Sequence, residues 1–192
     1  PAGFAEYCAE RGIPVLWVED GFIRSAGLGA AYMPGASYAV DPAGPYYDPA
    51  VRTGLATLLE EARFDEALLA RARRLRERIV AAGVTKYNLG GGLPALPADG
   101  RRRILVPGQV ADDLSVLRGA GRIRGNLELL EAVRAENPDA CILYKPHPDV
   151  VAGHRKGAVP EAALARLADA VLPGADIAAL IAAADEVHTL TS

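Results

Sequence analysis

The 192 residues are 51% hydrophobic, enough to bury a core as one or two small domains. A formal charge of −3 and a pI near 5.7 argue against a nucleic-acid partner, which would be met by a basic surplus. Two cysteines, Cys8 and Cys141, make neither a CxxC pair nor a disulfide framework, and no apolar run reaches the ~18 to 20 residues of a membrane span. A reducing, cytosolic setting without a signal peptide or transmembrane segment is expected. Pro1 at one end and "HTLTS" at the other read as cuts from something longer.

In chain order, residues 2–11 read as a helix closed by Gly12, with Pro14 leading into a strand at 15–18. "ASYAVD" (36–41) is a second short strand, and "PAGPYYDP" is a loop of turn formers. Leu68, Ala72, Leu75 and Ile79 recur at helical spacing between Asp65 and Ala82, and Gly83 closes the pattern. The arginines at 71, 73, 74, 76 and 78 are interrupted by Glu77 and preceded by Glu66, which reads as a solvated helix face. "NLGGGLPALPADGRRR" (88–103) is the linker candidate, with no periodicity. Beyond it the texture becomes regular. "RILVPG" reads as a strand, "NLELLEAVRAENP" as a helix capped by Asn126, and "CILYKPHP" as a strand. "EAALARLADAV" and "DIAALIAAA" read as helices and "EVHTL" as a last strand. That alternation argues parallel β/α layering.

Ligands of parallel α/β sheets collect at the carboxyl ends of strands. Four such ends here carry unusual polar clusters: "EDGFIRS", "GQVADDLS", "KPHPDV" and "TLTS". Glu19-Asp20-Gly21 is in the bland reading a turn with Gly21 at positive φ; the functional reading is a carboxylate at a cleft floor, with Arg24 and Ser25 holding it or an anion. Asp112 or Asp113 would cap the next helix, yet Gln109, Asp112, Asp113 and Ser115 exceed what one cap needs, leaving a carboxylate for nucleophilic or charge-stabilising work. His147, fixed between Pro146 and Pro148 two residues after Lys145, suits a phosphate, against an ordinary loop histidine. Thr191 and Ser192 are helix-cap residues that would equally cradle a phosphate.

Together these segments resemble the bacterial capsule polysaccharide biosynthesis family, the retaining β-Kdo glycosyltransferases of the KpsC type. "EDGFIRSAGLG", "YYDP", "KYN", "VPGQVADDLS", "YKPHPDVVAGHR" and "VHTLTS" occur in the family's order through nearly the whole chain. The resemblance implies an α/β, GT-B-like fold of two Rossmann-type halves, both incomplete here. Residues 1–97 would belong to the N-terminal, acceptor-side half and 98–192 to the C-terminal half that binds a CMP-sugar. Related sialyltransferases share an acidic pair before Gly, a His-Pro and a Ser/Thr pair, matched by Glu19-Asp20-Gly21, His147-Pro148 and Thr191-Ser192.

The implied reaction moves Kdo from CMP-β-Kdo to a lipid-linked Kdo acceptor of capsule linker synthesis, with retention. Glu19 would be the proton-transferring carboxylate, and His147 would meet the CMP phosphate with Lys145 adding charge. Gln109, Pro148, Thr191 and Ser192 complete the donor-binding set. Retention requires two displacements through a covalent adduct, for which Asp113 is the nucleophile and Asp112 the fallback. Asp20, Gly21, Arg24, Ser25 and Arg155 are further substrate contacts. No cofactor, metal or nucleic acid is expected, and the location would be cytoplasmic with peripheral contact at the inner membrane. The chain by itself is expected to bind donor poorly and to be inactive. Tyr46, Tyr47, Asp48 and Lys86-Tyr87-Asn88 match the family without a derivable role, and His154 reads as a surface residue. Two alternatives stand: a CDP-glycerol-type phosphotransferase, separable by product mass, and a non-catalytic capsule-assembly module, separable by replacing Glu19 and Asp113.

Overall fold

The computed structural model describes residues 3–26 and 33–191. Its centre is a four-stranded parallel sheet of β3 (Arg103–Pro107), β4 (Cys141–Lys145), β5 (Ala170–Val171) and β6 (Glu186–Val187), in the spatial order β5-β4-β3-β6. A strand buried on both faces reads as an unbroken apolar run, and "ILV" and "CILY" do so. The period of two sorts them. Ile104, Val106, Ile142 and Tyr144 face a layer containing Leu129, Leu130 and Val133 of α5 (Asn126–Glu136) and Ala163 of α7 (Glu161–Leu167). Leu105, Cys141 and Leu143 face Leu180 of α8 (Ile177–Ala183), together with Leu172 and Ala175. Helices thus cover both faces. The chain runs outward from β3 to β5, then returns to the other side of β3 as β6, so the strand order reverses between β3 and β6.

Ahead of this sheet lie α1 (Phe4–Ala9), an antiparallel ribbon of β1 (Trp17–Asp20) and β2 (Tyr38–Asp41), α2 (Gly54–Glu61) and α3 (Glu66–Ala81). Thr53 caps α2 by accepting from the Ala56 amide, and Asp65 caps α3 from the Leu68 amide. The expected linker carries no helix or strand from 88 to 97, but it is packed: Leu96 joins the α8-side core and Gly92 O accepts from the Asp176 amide.

Several boundaries differ from the sequence reading. The first strand starts two residues later than the expected 15–18 and is equally long, so Glu19 and Asp20 lie within β1 and pair with Ala39 and Tyr38. The acidic pair therefore sits on an antiparallel ribbon and not at the carboxyl edge of a parallel sheet. Helix α7 stops at Leu167, because Asp169 is drawn into the sheet: its amide donates to Ile142 O, and its carboxylate accepts from the Ile142 amide, Arg101 and Arg134. Ala170–Val171 then form β5. The last strand is two residues, and α2 was not anticipated. Asn126 opens α5 but does not cap it; the cap position is Gly125. The Asn126 side chain is buried and ties two loops, accepting from the Gln109 amide and donating to Gln109 O and Gly157 O.

Candidate functional site

Five segments, far apart in sequence, line one cavity of about 530 Å³: Glu19, Asp20 and Arg24; Tyr46 and Tyr47; Lys86 and Tyr87; Gln109, Val110, Asp113, Ser115 and Val116; His147, Asp149 and Arg155. Local chemistry places each. Gly21 is buried just after β1 without positive φ; it is required by space, since a Cβ there would lie 2.2 Å from Ser37 Oγ and 3.1 Å from the Ser37 carbonyl carbon. That close approach lets the Gly21 amide donate to Ser37 O and hands the chain on to Arg24. The buried Arg24 guanidinium donates from Nε to Asp20 Oδ2 at 2.5 Å and from Nη1 to Ser25 Oγ at 3.0 Å.

The "KYN" turn fastens this loop. Asn88 adopts φ 50, a left-handed conformation that Asn tolerates, while its Oδ1 accepts from the Thr85 amide and its Nδ2 donates to Ser25 O. Lys86 O accepts from the Arg24 and Ser25 amides, so Lys86 and Tyr87 are held beside the acidic ribbon. Tyr87 meets the His147 ring edge-on at 6.3 Å between centroids, and Lys86 Nζ lies 5.5 Å from the Tyr87 ring centre.

Tyr47 donates to Glu19 Oε1 at 2.9 Å. Burial, then that bond and the Glu19 charge, push the Tyr47 hydroxyl far above the usual phenol range, so it stays a donor. Asp113 caps α4 (Leu114–Gly119), its Oδ1 accepting from the amide and hydroxyl of Ser115. Burial opposes its charge, yet the Ser115 bonds and the nearby Arg155 and Lys86 charges leave the carboxyl below its ordinary range. Asp113 therefore presents an ionised carboxylate to the cavity.

His147 caps α6 (Pro148–Val151), with its Nδ1 accepting from the Asp149 amide at 3.1 Å. That bond fixes the tautomer, leaving Nε2 as the N–H donor. Burial lowers its pKa, against the opposing pull of Asp149, so the ring is neutral near pH 7.

Not every expected residue reaches this cavity. Lys145 and Pro148 line a second, more apolar pocket of about 220 Å³ with Pro107, Gly108, Ile177 and Asp176; it shares Lys86, Tyr87 and His147 with the first. Burial lowers the Lys145 pKa and Asp176 partly restores it. Thr191 lies outside both pockets. Gln109 Oε1 accepts from the Leu190 and Thr191 amides, and Nε2 donates to Thr191 Oγ1, so Gln109 bridges the chain after β3 to the chain after β6 at the switch in strand order. Ser192 is outside the described residues. Asp112 is exposed and pairs with Arg155, while Gly21 and Ser25 stand behind the cavity wall. Tyr46, Tyr47, Lys86 and Tyr87, assigned no role from sequence, line the cavity, and Asp149 was not singled out at all. Among the described residues no group of three or more His, Cys, Asp or Glu is placed to hold a metal, and no helix is long and apolar enough to cross a membrane.

A family model described as "Capsule polysaccharide biosynthesis protein" matches residues 93–192. The chain belongs to this family. Within the family, it is similar to the capsule polysaccharide modification protein LipA of Neisseria meningitidis serogroup B, 40% identical over 186 residues, covering 97% of this chain and 26% of that protein. Two solved structures of Thermosulfurimonas dismutans KpsC are also similar. The β-Kdo 2,4 transferase aligns with a TM-score of 0.85 at 31% identity, covering 98% of this chain and 59% of that one. The β-Kdo 2,7 transferase aligns with a TM-score of 0.74 at 34% identity, covering 99% and 56%. The chain thus spans about a quarter of LipA and under three fifths of either KpsC chain.

Proposed function

We propose that this chain is the catalytic portion of a retaining glycosyltransferase that moves Kdo from a CMP-activated donor to a lipid-linked Kdo acceptor during capsule assembly. The observation that carries it is the single cavity joining Glu19, Asp113 and His147, in a backbone similar to a β-Kdo transferase at a TM-score of 0.85. The two pockets meeting at His147 suit the two ends of such a donor: base and ribose in the apolar pocket, sugar in the polar cavity, phosphate at the neutral His147 Nε2–H between them. Lys86, absent from the ion pairs among the described residues, and Lys145 supply charge to that phosphate.

In the first displacement an Asp113 carboxylate oxygen bonds to the anomeric carbon as the bond from that carbon to the phosphate oxygen breaks and CMP departs. In the second, an acceptor hydroxyl oxygen takes that carbon, its proton passes to Glu19, and Asp113 is released; two inversions give retention. Tyr47 orients Glu19 through Oε1, leaving the carboxylate's other oxygen to the proton. The wider proposal is a two-half, GT-B-like enzyme: residues 1–97 contribute the acceptor side and 98–192 the donor side, acting at the cytoplasmic face of the membrane. Incubating the full-length protein with CMP-Kdo and a Kdo-primed lipid acceptor is expected to extend the acceptor by one β-linked Kdo. An unextended acceptor, or one extended by glycerol phosphate from CDP-glycerol, refutes the proposal.

A further inference from the structure

We propose that Asp149 is a specificity-determining residue whose carboxylate accepts a hydrogen bond from a hydroxyl of the transferred sugar. Four carboxylates line the polar cavity. Three are engaged by protein donors: Glu19 by Tyr47, Asp20 by Arg24, and Asp113 by Ser115. Asp149 differs. It is 6% exposed, and its Oδ1 is buried with no hydrogen-bond partner among the described residues. Its other oxygen lies 3.9 Å from His147 Nδ1, beyond hydrogen-bond length, and that nitrogen already accepts from the Asp149 amide. A buried acceptor left unbonded costs stability, and Asp149 lines the cavity; together these point to a donor brought by the ligand.

The donor assigned above, on which this inference rests, narrows the choice. Its phosphate and carboxylate carry no hydrogen-bond donor and would be repelled by a carboxylate; its hydroxyls and its cytosine amino group are the donors it offers. Asp149 lines the polar cavity and not the apolar pocket, two residues after the phosphate contact His147 in the first turn of α6. The hydroxyl it reads is therefore on the sugar and not on the nucleoside.

Calorimetric titration of the full-length protein with CMP and with CMP-Kdo tests this. Asp149→Ala is expected to weaken CMP-Kdo about 30-fold while changing CMP by less than about twofold. Asp149→Asn keeps a neutral acceptor and is expected to weaken CMP-Kdo about fivefold. Should the alanine variant fail to fold, the asparagine variant's split between the two ligands carries the test. Equal losses for both ligands, or an unchanged CMP-Kdo affinity, overturn the assignment. A wild-type protein that binds no CMP-Kdo removes the donor reading together with it, whereas failure of the Asp149 assignment alone leaves wild-type CMP-Kdo binding intact.

Discussion

Gln109 offers a perturbation whose size follows from its three bonds. Its Oε1 accepts from the Leu190 and Thr191 amides at 2.8 and 3.2 Å, and its Nε2 donates to Thr191 Oγ1 at 3.0 Å. Gln109→Ala leaves two part-buried backbone amides without an acceptor. At about 1 kcal/mol for each of the three bonds, opening of the chain after β6 becomes about 3 kcal/mol easier, or about 160-fold faster amide exchange at Leu190 and Thr191. Gln109→Glu retains both acceptor positions and should hold exchange within about threefold of the parent. Hydrogen exchange read by mass spectrometry on a peptide covering 186–191 of the full-length protein distinguishes them. Unchanged exchange in Gln109→Ala would show that strand β6 and not Gln109 holds this segment, refuting the bridge.

Further expectations follow from other contacts. Gly21→Ala drives a Cβ into Ser37 and should destabilise by about 1–3 kcal/mol in chemical denaturation, with Ser37→Gly restoring part of the loss; an unchanged midpoint would contradict the packing. Asp169→Ala strips acceptors from the Ile142 amide and from two arginines, so unfolding is expected to ease by about 2–3 kcal/mol, and Asp169→Asn by less. His147 has a folded pKa below its ordinary 6.5, so the unfolded chain binds its proton more readily and stability rises with pH through this window. The contribution is present above about pH 6.5 and is lost as pH falls toward the folded value. His147→Asn, which keeps a capping side chain, should flatten the stability profile between about pH 7 and 5, and an unaltered slope would refute the neutral, capping imidazole.

The parallel sheet was legible because β3 and β4 are apolar at every central position, a pattern of strands covered on both faces, and alternate with segments of helical spacing. The three clusters after β3, β4 and β6 were legible as polar residues crowding strand ends. The ribbon was not, since antiparallel pairing of β1 with β2 joins segments whose intervening loop leaves no short-turn signature. Strand β5 was hidden in "LARLADAV", whose spacing continues a helix; the break is made by Asp169 meeting Arg101 and Arg134, contacts between distant residues. The position of Lys145 could have been read. It shares strand parity with Cys141 and Leu143, so it falls on the α8 side and enters the apolar pocket, while His147 lies beyond the strand and reaches both pockets. Gln109, expected as a donor contact, lines the cavity and also bridges to the chain after β6, and polarity at a strand end does not reveal that second contact. Asp149 escaped notice because an acidic residue in the first turn of a helix is ordinary; its buried, unpartnered oxygen is a three-dimensional fact.

The most direct test asks where the sugar rests between the two displacements. Full-length Glu19→Gln protein, mixed with CMP-Kdo and quenched, should release one CMP per enzyme and yield a Kdo-bearing peptide modified at Asp113, absent in the Asp113→Asn variant. CMP release and acceptor extension without any sugar on Asp113, or an adduct on Asp112 or another side chain, would contradict the account.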